Sequence, residues 1–222
     1  MRVLVACEYS GTVRRAFAAL GHDAWSADLL PSEDRSNKHI IGDARDLLGD
    51  GWDLLMVAHP PCTRLCLSGL RWLHEPPPGK TQPEMWADLE SGAALFSDFW
   101  NAPIDRVCVE NPKMHRHAKA RIANYQPPAQ IVQPWWFGEP VFKGTGLYLR
   151  GLPPLVATAA LEPPEPGTPE HKAWSTVHRA TGWGKHAADR WKERSRFFPG
   201  IAAAMAAQWG GDADAEPMRG VA

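Results

Sequence analysis

Short apolar runs alternate with helical patterns along the first half of the chain. The strand-like runs cover residues 2–7, 23–30, 39–48, 52–59 and 105–112. Apolar residues recur every three or four positions over residues 10–22 and 83–102, which predicts two helices. This alternation predicts an α/β fold with a mostly parallel sheet and helices on both of its faces. Ligands in such folds bind at the carboxyl ends of the strands.

The pattern changes beyond residue 112. Residues 130–138 and 144–152 predict further strands, residues 153–170 are rich in proline, and residues 199–210 predict a helix with proline in its first turn. We expect one domain over residues 1–209, with a short basic insert at residues 156–193 and a flexible tail over residues 210–222.

Composition and charge limit the classes of function. The chain has 222 residues, 44% of them hydrophobic, and a formal net charge of −1, so a nucleic-acid site would have to be a local patch. Residues 171–196 offer such a patch, because seven basic side chains stand there against two acidic ones. With no leader ahead of the first strand and no run of 18 apolar residues, we expect a cytoplasmic protein with reduced thiols. The four cysteines lack a second pair at metal spacing, so no metal is expected.

The ends of the first three strands carry residues that suit a nucleoside cofactor. In CEYSGTVRR, a turn at Gly11 leads into a helix whose N–H groups can bind an anion, with Glu8 and Ser10 beside it. Asp28 follows the second strand, 17 residues after Gly11, where a carboxylate can bind ribose hydroxyls. Asp43 follows the third strand and is a candidate for the adenine amino group. The alternative is an ordinary strand–turn–helix with capping acids.

The next two strand ends carry a thiol and a carboxyl group. Pro60 and Pro61 end the fourth strand abruptly and hold Cys62 in a loop at the ligand edge, where a thiolate can be a nucleophile. A small buried cysteine is the alternative. Glu110, followed by Asn111, ends the fifth strand, and a carboxyl group at the end of a buried strand suits a general acid.

HPPCT followed by VENP, after a glycine turn and an acidic ribose position, resembles the S-adenosylmethionine-dependent DNA cytosine-5 methyltransferases. The chain resembles their small, often phage-associated relatives more closely still. The stretches LSGLRWL, QPWWFGEPVFKGTGLYLRGLPPL and RSRFFPGIAAAMAAQWG are similar to that subgroup, so the resemblance leaves only residues 156–193 poorly covered. It implies a Rossmann-like class I methyltransferase fold, S-adenosyl-L-methionine as cofactor and DNA as substrate.

The resemblance also implies roles for individual residues. Cys62 would attack carbon 6 of cytosine, and Glu110 would donate a proton to ring nitrogen 3. Pro60 would lie beside the cofactor, and Arg71 and Asn111 beside the substrate. The loop over residues 63–79 would close over a flipped-out base.

The chain departs from the family pattern in three places. The cofactor turn keeps one glycine, and Gln133, Lys143 and Arg150 stand where the family has a Gln-x-Arg-x-Arg strand. The insert is too short for a separate target-recognition domain, so we expect DNA binding with little sequence preference.

Residues of the basic insert could bind DNA in place of that domain. Its candidates are cations for phosphates and aromatic side chains for stacking, namely Lys185, Arg190, Lys192, Trp174, Trp183 and Trp191. A solvated surface with tryptophans packed on the core is the alternative. Two rival functions also stay open: modification of a free pyrimidine nucleotide, and a non-catalytic relative that binds cofactor or DNA.

Overall fold

A seven-stranded, mostly parallel sheet forms the centre of the protein in the computed structural model, which describes residues 1–58, 60–175 and 197–211. The strands are β1 (Arg2–Ala6), β2 (Asp23–Asp28), β3 (His39–Ile41), β4 (Leu54–Val57), β5 (Arg106–Asn111), β6 (Gln130–Val132) and β7 (Thr145–Arg150). Their order across the sheet is β3-β2-β1-β4-β5-β7-β6. Strands β1 to β5 are parallel, whereas β7 runs antiparallel to both β5 and β6. The mixed α/β class and the mostly parallel sheet expected from the sequence are confirmed.

Five α-helices and three 3-10 helices connect or follow the described strands. The α-helices are α1 (Thr12–Ala19), α2 (Gln82–Trp100), α3 (Arg116–Lys119), α4 (Pro169–Trp174) and α5 (Pro199–Trp209). The 3-10 helices cover Ala44–Leu47, Leu67–Leu73 and Pro134–Trp136. No helix within the described ranges combines the length and apolar character needed to cross a bilayer.

Two hydrophobic clusters lie on opposite faces of the sheet. Alternate residues of a strand point to opposite faces, and β4 shows this directly. Leu55 and Val57 belong to the cluster that contains the apolar side of α2, while Leu54 and Met56 belong to the cluster that contains α1 and α5. Because β4 is buried on both faces, its sequence is apolar throughout.

Some predicted strands are shorter in the structure. The run at residues 39–48 forms a strand only over His39–Ile41, because Asp43 caps a 3-10 helix through the N–H of Arg45. The run at residues 130–138 is a strand only as far as Val132, since Pro134 begins another 3-10 helix. Residues 176–193 of the predicted insert and 212–222 of the predicted tail lie outside the described residues.

Candidate active site

The carboxyl edge of the sheet gathers most of the residues singled out in the sequence. Strands β1 to β5 end there, and because β7 is reversed, its beginning lies at the same edge. The register pairs Glu110 with Leu147 and Asn111 with Gly146. The residues just before β7, including Lys143, therefore join the ends of β4 and β5.

Two thiols share one helical turn after β4. The carbonyl oxygen of Cys62 accepts hydrogen bonds from the N–H of Leu65 at 2.9 Å and of Cys66 at 3.0 Å. Cys62 is partly exposed, whereas Cys66 is buried and directly precedes the 3-10 helix Leu67–Leu73. The turn therefore presents Cys62 at the surface and holds Cys66 beneath it.

This turn is fastened to the segment that follows β5. Cys66 forms an isolated β-bridge with Met114. The N–H of His115 donates to the carbonyl oxygen of Leu65 at 3.0 Å, and its ring Nε2 lies 2.7 Å from the carbonyl oxygen of Arg64. Its Nδ1 accepts a hydrogen bond from the first turn of α3, so the ring is the neutral tautomer that donates through Nε2. The thiol turn and the end of β5 thus hold fixed positions relative to each other.

The two thiols interact electrostatically. A hydrogen bond from Cys62 lowers the pKa of Cys66 against the opposing effect of burial, and the Ser68 hydroxyl, 3.0 Å from Cys66 Sγ, lowers it further. The same hydrogen bond raises the pKa of Cys62, and so do burial and the charge of Glu110. These opposite shifts favour the thiolate form at Cys66 over Cys62.

Glu110 and Lys143 complete the polar group at this edge. Burial raises the pKa of the Glu110 carboxyl from 4.5 to about 7, against the charge of Lys143. That charge also opposes the rise in the pKa of Cys62. Sequence reasoning noted Lys143 only as a substitute in a family motif, because nothing in GTGLYLR reveals that the strand runs backwards.

Asn111 brings an unsatisfied amide to the site. Its side chain is fully buried, and within the described part of the chain neither its Oδ1 nor its Nδ2 has a hydrogen-bond partner. The backbone beside it is tightly packed, because a Cβ on Gly146 would lie 2.6 Å from the Asn111 carbonyl oxygen. A buried unpaired amide costs about 1–3 kcal/mol, so Asn111 is a candidate partner for a polar ligand atom.

The glycine turn after β1 differs from the expectation. Gly11 has a φ of 69°, the left-handed conformation that favours glycine, and α1 begins directly after it. The buried Glu8 carboxylate accepts the N–H groups of Val13 at 2.6 Å and Arg14 at 3.1 Å, and Ser10 donates its hydroxyl to Glu8 at 3.5 Å. The start of α1 is therefore capped by Glu8 itself, and these two N–H groups are already occupied.

An ion cluster covers the same turn. Asp34 pairs with Arg14 and with Arg15, the latter at 2.7 Å. Although burial opposes ionisation, hydrogen bonds from Ser32 and Arg15 and the charge of Arg14 hold the pKa of Asp34 below its usual value. Two guanidinium groups and the carboxylate that pairs with both of them therefore lie next to Gly11.

The two predicted cofactor aspartates have different surroundings. Asp28 is partly buried at the end of β2, where burial raises its pKa and its Oδ1 accepts the N–H of Leu30 at 2.9 Å. Both oxygens of Asp43 lie 3.0 Å from Nε of Arg45, whose hydrogen bonds lower the pKa of Asp43. An adenine amino group would have to compete with Arg45 for Asp43, whereas Asp28 suits the ribose position.

The loop expected to close over the base is partly helical and packed. Leu73, at the end of its 3-10 helix, is fully buried, and a Cβ on Gly69 would lie 1.9 Å from the Thr63 carbonyl oxygen. Arg71 is exposed, pairs with Glu75 at 3.2 Å and lies over the ring of Trp72. Pro60 is buried beside the turn.

Other predicted residues have structural roles or lie outside the described ranges. Arg150 donates to the carbonyl oxygens of Ala102 at 2.6 Å and Ile104 at 2.8 Å, so it braces the sheet. Trp174 is buried against Phe142, which excludes it as an exposed stacking platform. The remaining candidates of the insert lie outside the described residues, namely Lys185, Arg190, Lys192, Trp183 and Trp191. His59 also lies outside them.

A basic segment (residues 113–121) flanks the thiol turn. Lys113, Arg116 and Lys119 are exposed, and no acidic residue follows Glu110 until Glu139. The N–H of Leu67, next to Cys66, donates to the carbonyl oxygen of Lys113 at 3.1 Å. The segment therefore places the exposed cations of Lys113, Arg116 and Lys119 near the thiol turn, while Arg121 at its end pairs with Glu90 at 2.5 Å.

No protein-family model matches the chain, and no curated protein does either. Within the described ranges, no group of three or more His, Cys, Asp or Glu side chains could hold a metal ion. The side chains at the carboxyl edge and the resemblance of their motifs are what point to a function.

Proposed function

We propose that the protein is a methyltransferase of Rossmann-like, class I fold that uses S-adenosyl-L-methionine to modify carbon 5 of cytosine in DNA. The observation that carries this proposal is a thiol and a carboxyl group with a pKa of about 7 at one sheet edge, close enough for their charges to interact. The strand order 3-2-1-4-5 is that of doubly wound nucleotide-binding sheets and supports the fold.

The side chains suit the chemistry that carbon 5 requires. This carbon is a poor nucleophile while the cytosine ring stays aromatic. Attack of Cys62 Sγ on carbon 6 forms an S–C bond and moves electron density towards ring nitrogen 3, where Glu110 donates its proton. Carbon 5 then reacts as an enamine. With a pKa of about 7, roughly half of the Glu110 population carries the required proton at neutral pH.

Cys66 and Lys143 support the two reacting groups. Cys62 donates its hydrogen bond to the Cys66 sulfur, which can accept the proton as Cys62 attacks. Lys143 stabilises the carboxylate that Glu110 becomes after it has given up its proton. Proton acceptor, nucleophile and acid thus belong to one connected group.

The residues present fit the cofactor in part. Asp28 would hold the ribose hydroxyls, and the family resemblance implies that Pro60 would lie beside the cofactor. Glu8, Ser10 and Gly11 shape the turn, and Asp43 is held by Arg45. The bound cofactor would supply the methyl group for carbon 5.

The basic segment favours nucleic acid over a free nucleotide as substrate. Its exposed cations suit backbone phosphates. In duplex DNA the target base would be flipped out to reach Cys62. The cations of the insert, Lys185, Arg190 and Lys192, would extend this surface.

A mechanism-based trap tests the proposal. A random-sequence duplex pool containing 5-fluorocytosine, mixed with the protein and S-adenosyl-L-methionine, should give a denaturant-resistant adduct at Cys62, because fluorine cannot leave carbon 5 as a proton does. Cys62→Ser should abolish the adduct and leave cofactor binding intact. If 5-fluorodeoxycytidine monophosphate forms the adduct and 5-fluorocytosine in DNA does not, the free-nucleotide function would be favoured. Cofactor binding without any adduct would favour a non-catalytic protein, and an adduct at Cys66 would identify the other thiol as nucleophile.

A further inference from the structure

Cys62 and Cys66 lie four residues apart in one hydrogen-bonded turn. Residues four apart on a helical turn have Cβ atoms about 5–6 Å apart, and a disulfide needs about 3.5–4.5 Å. The hydrogen bond from the N–H of Cys66 to the carbonyl oxygen of Cys62, at 3.0 Å, holds the two residues at this spacing. A side-chain rotation with a shift of about 1–2 Å in the turn would bring the sulfurs to bonding distance.

The surroundings make this pair more reactive than the other two cysteines. The thiolate is the form that reacts, and it is favoured at Cys66 by the hydrogen bonds from Cys62 and Ser68. Burial instead raises the pKa of Cys7 to about 12 and that of the fully buried Cys108 well above its usual value. All four cysteines are described and reduced, so Cys7 and Cys108 serve as internal controls.

We propose that Cys62 and Cys66 form an oxidisable dithiol, which a peroxide converts to an intramolecular disulfide within the thiol turn. In the first step the Cys66 thiolate attacks one peroxide oxygen, the O–O bond breaks, and a sulfenic acid and hydroxide form. The Cys62 thiol then attacks the Cys66 sulfur, the S–S bond closes, and the sulfenic oxygen leaves as water with the Cys62 proton. Overall the dithiol loses two electrons and two protons, and hydrogen peroxide is reduced to two molecules of water.

The disulfide would remove the nucleophile and the proton acceptor of the proposed reaction in one step. This consequence rests on the proposed function, whereas formation of the bond does not. Because the turn has to move to close the bond, the disulfide is strained and is readily reopened by a dithiol reductant.

The test treats the full chain with graded hydrogen peroxide, alkylates the remaining thiols under denaturing conditions and measures intact and peptide masses. The expected product has lost two hydrogen atoms, links Cys62 to Cys66, leaves Cys7 and Cys108 alkylated, and reverts with dithiothreitol. Cys66→Ser should give no internal disulfide. Ser68→Ala keeps both thiols and should form the same disulfide several-fold more slowly at neutral pH, because it loses one stabilising hydrogen bond.

Four free thiols at peroxide concentrations that oxidise free cysteine would overturn the proposal. A disulfide that includes Cys7 or Cys108, or one between two chains, would overturn it as well. Since the mass measurement needs no substrate, it separates the two proposals. A reversible disulfide in a protein that transfers no methyl group when reduced would support the dithiol proposal and contradict the proposed function. Methyl transfer by a protein that forms no disulfide would support the proposed function and contradict the dithiol proposal.

Discussion

Replacing Glu110 by glutamine would remove the transferable proton of the side chain and keep its size and shape. An ordinary glutamate with a pKa of 4.5 is protonated in roughly one molecule in 300 at pH 7, whereas Glu110, with a pKa of about 7, is protonated in about half. Burial at the end of β5 therefore increases the population of the acid about 150-fold at neutral pH. Glutamine can donate a hydrogen bond but cannot transfer a proton, so we expect Glu110→Gln to lower kcat by about 10²–10⁴.

The pH dependence is the more specific readout. Because the protonated form of Glu110 is the active one, the wild-type rate should fall about tenfold per unit above about pH 7. Glu110→Gln should lack that decline. The assay follows transfer of a labelled methyl group to a random-sequence duplex under single-turnover conditions, between about pH 5.5 and 9.

Glu139→Gln provides a matched control. Burial also raises the pKa of Glu139. Its carboxylate, however, accepts a hydrogen bond from the N–H of Gly200 at 2.7 Å, at the start of α5 and not at the thiol turn. This variant should retain the alkaline decline. A wild-type rate that stays level above pH 7, or a Glu110→Gln enzyme that keeps the decline, would remove Glu110 from the role of acid.

Three further predictions concern stability, DNA and cofactor. Burial raises the pKa of Glu8 from 4.5 to about 7, so the stability that its bound proton provides is lost as pH rises. Relative to Glu8→Gln, the wild-type free energy of unfolding should therefore fall by about 2.5 kcal/mol between about pH 5 and 8. Urea-unfolding free energies that change with pH in the same way in both proteins would contradict this. Replacing Lys113, Arg116 and Lys119 together by glutamine should reduce the slope of log binding constant against log salt concentration by up to about 2.7, measured by anisotropy titration with duplex DNA. Lys38→Gln, at the opposite sheet edge, should leave that slope unchanged. Equal slopes for the wild type and the triple variant would exclude phosphate contacts by these residues. Asp28→Ala should weaken S-adenosyl-L-methionine binding by about 1.5–3 kcal/mol in calorimetry, and unchanged affinity would mean that the ribose is held elsewhere.

The parallel part of the fold and its strand-end residues could be predicted from the sequence. Strands buried on both faces read as apolar runs, so Leu54 to Val57 stood out, and the polar residue that follows such a run lies at the ligand edge. Cys62 and Glu110 were found in this way, and the structure brings their charges within reach of each other. Their chemical roles stay predictions.

The rest depended on contacts that lie far apart in the chain or on competition for hydrogen bonds. The reversal of β7, which brings Lys143 to Glu110, leaves no mark on the strand's own pattern. Glu8 read as a ligand for a cofactor because the sequence shows a carboxylate near a helix start, but not which N–H groups it satisfies. Trp174 read as a possible platform because exposure depends on Phe142, which lies in a distant loop.

The reversed strand also sets the order in which paired segments become available during synthesis. Within the described sheet β6 pairs with β7 alone, although β6 is made first, so it has no partner until residues 145–150 have been added. A growing chain can already pair β4 with β5 and hold Cys62 near Glu110, while Lys143 reaches them only when β7 inserts between β5 and β6. Such late, non-local pairing is slow relative to helix formation. A chain that ends before residue 143 would contain the thiol and the acid without the cation.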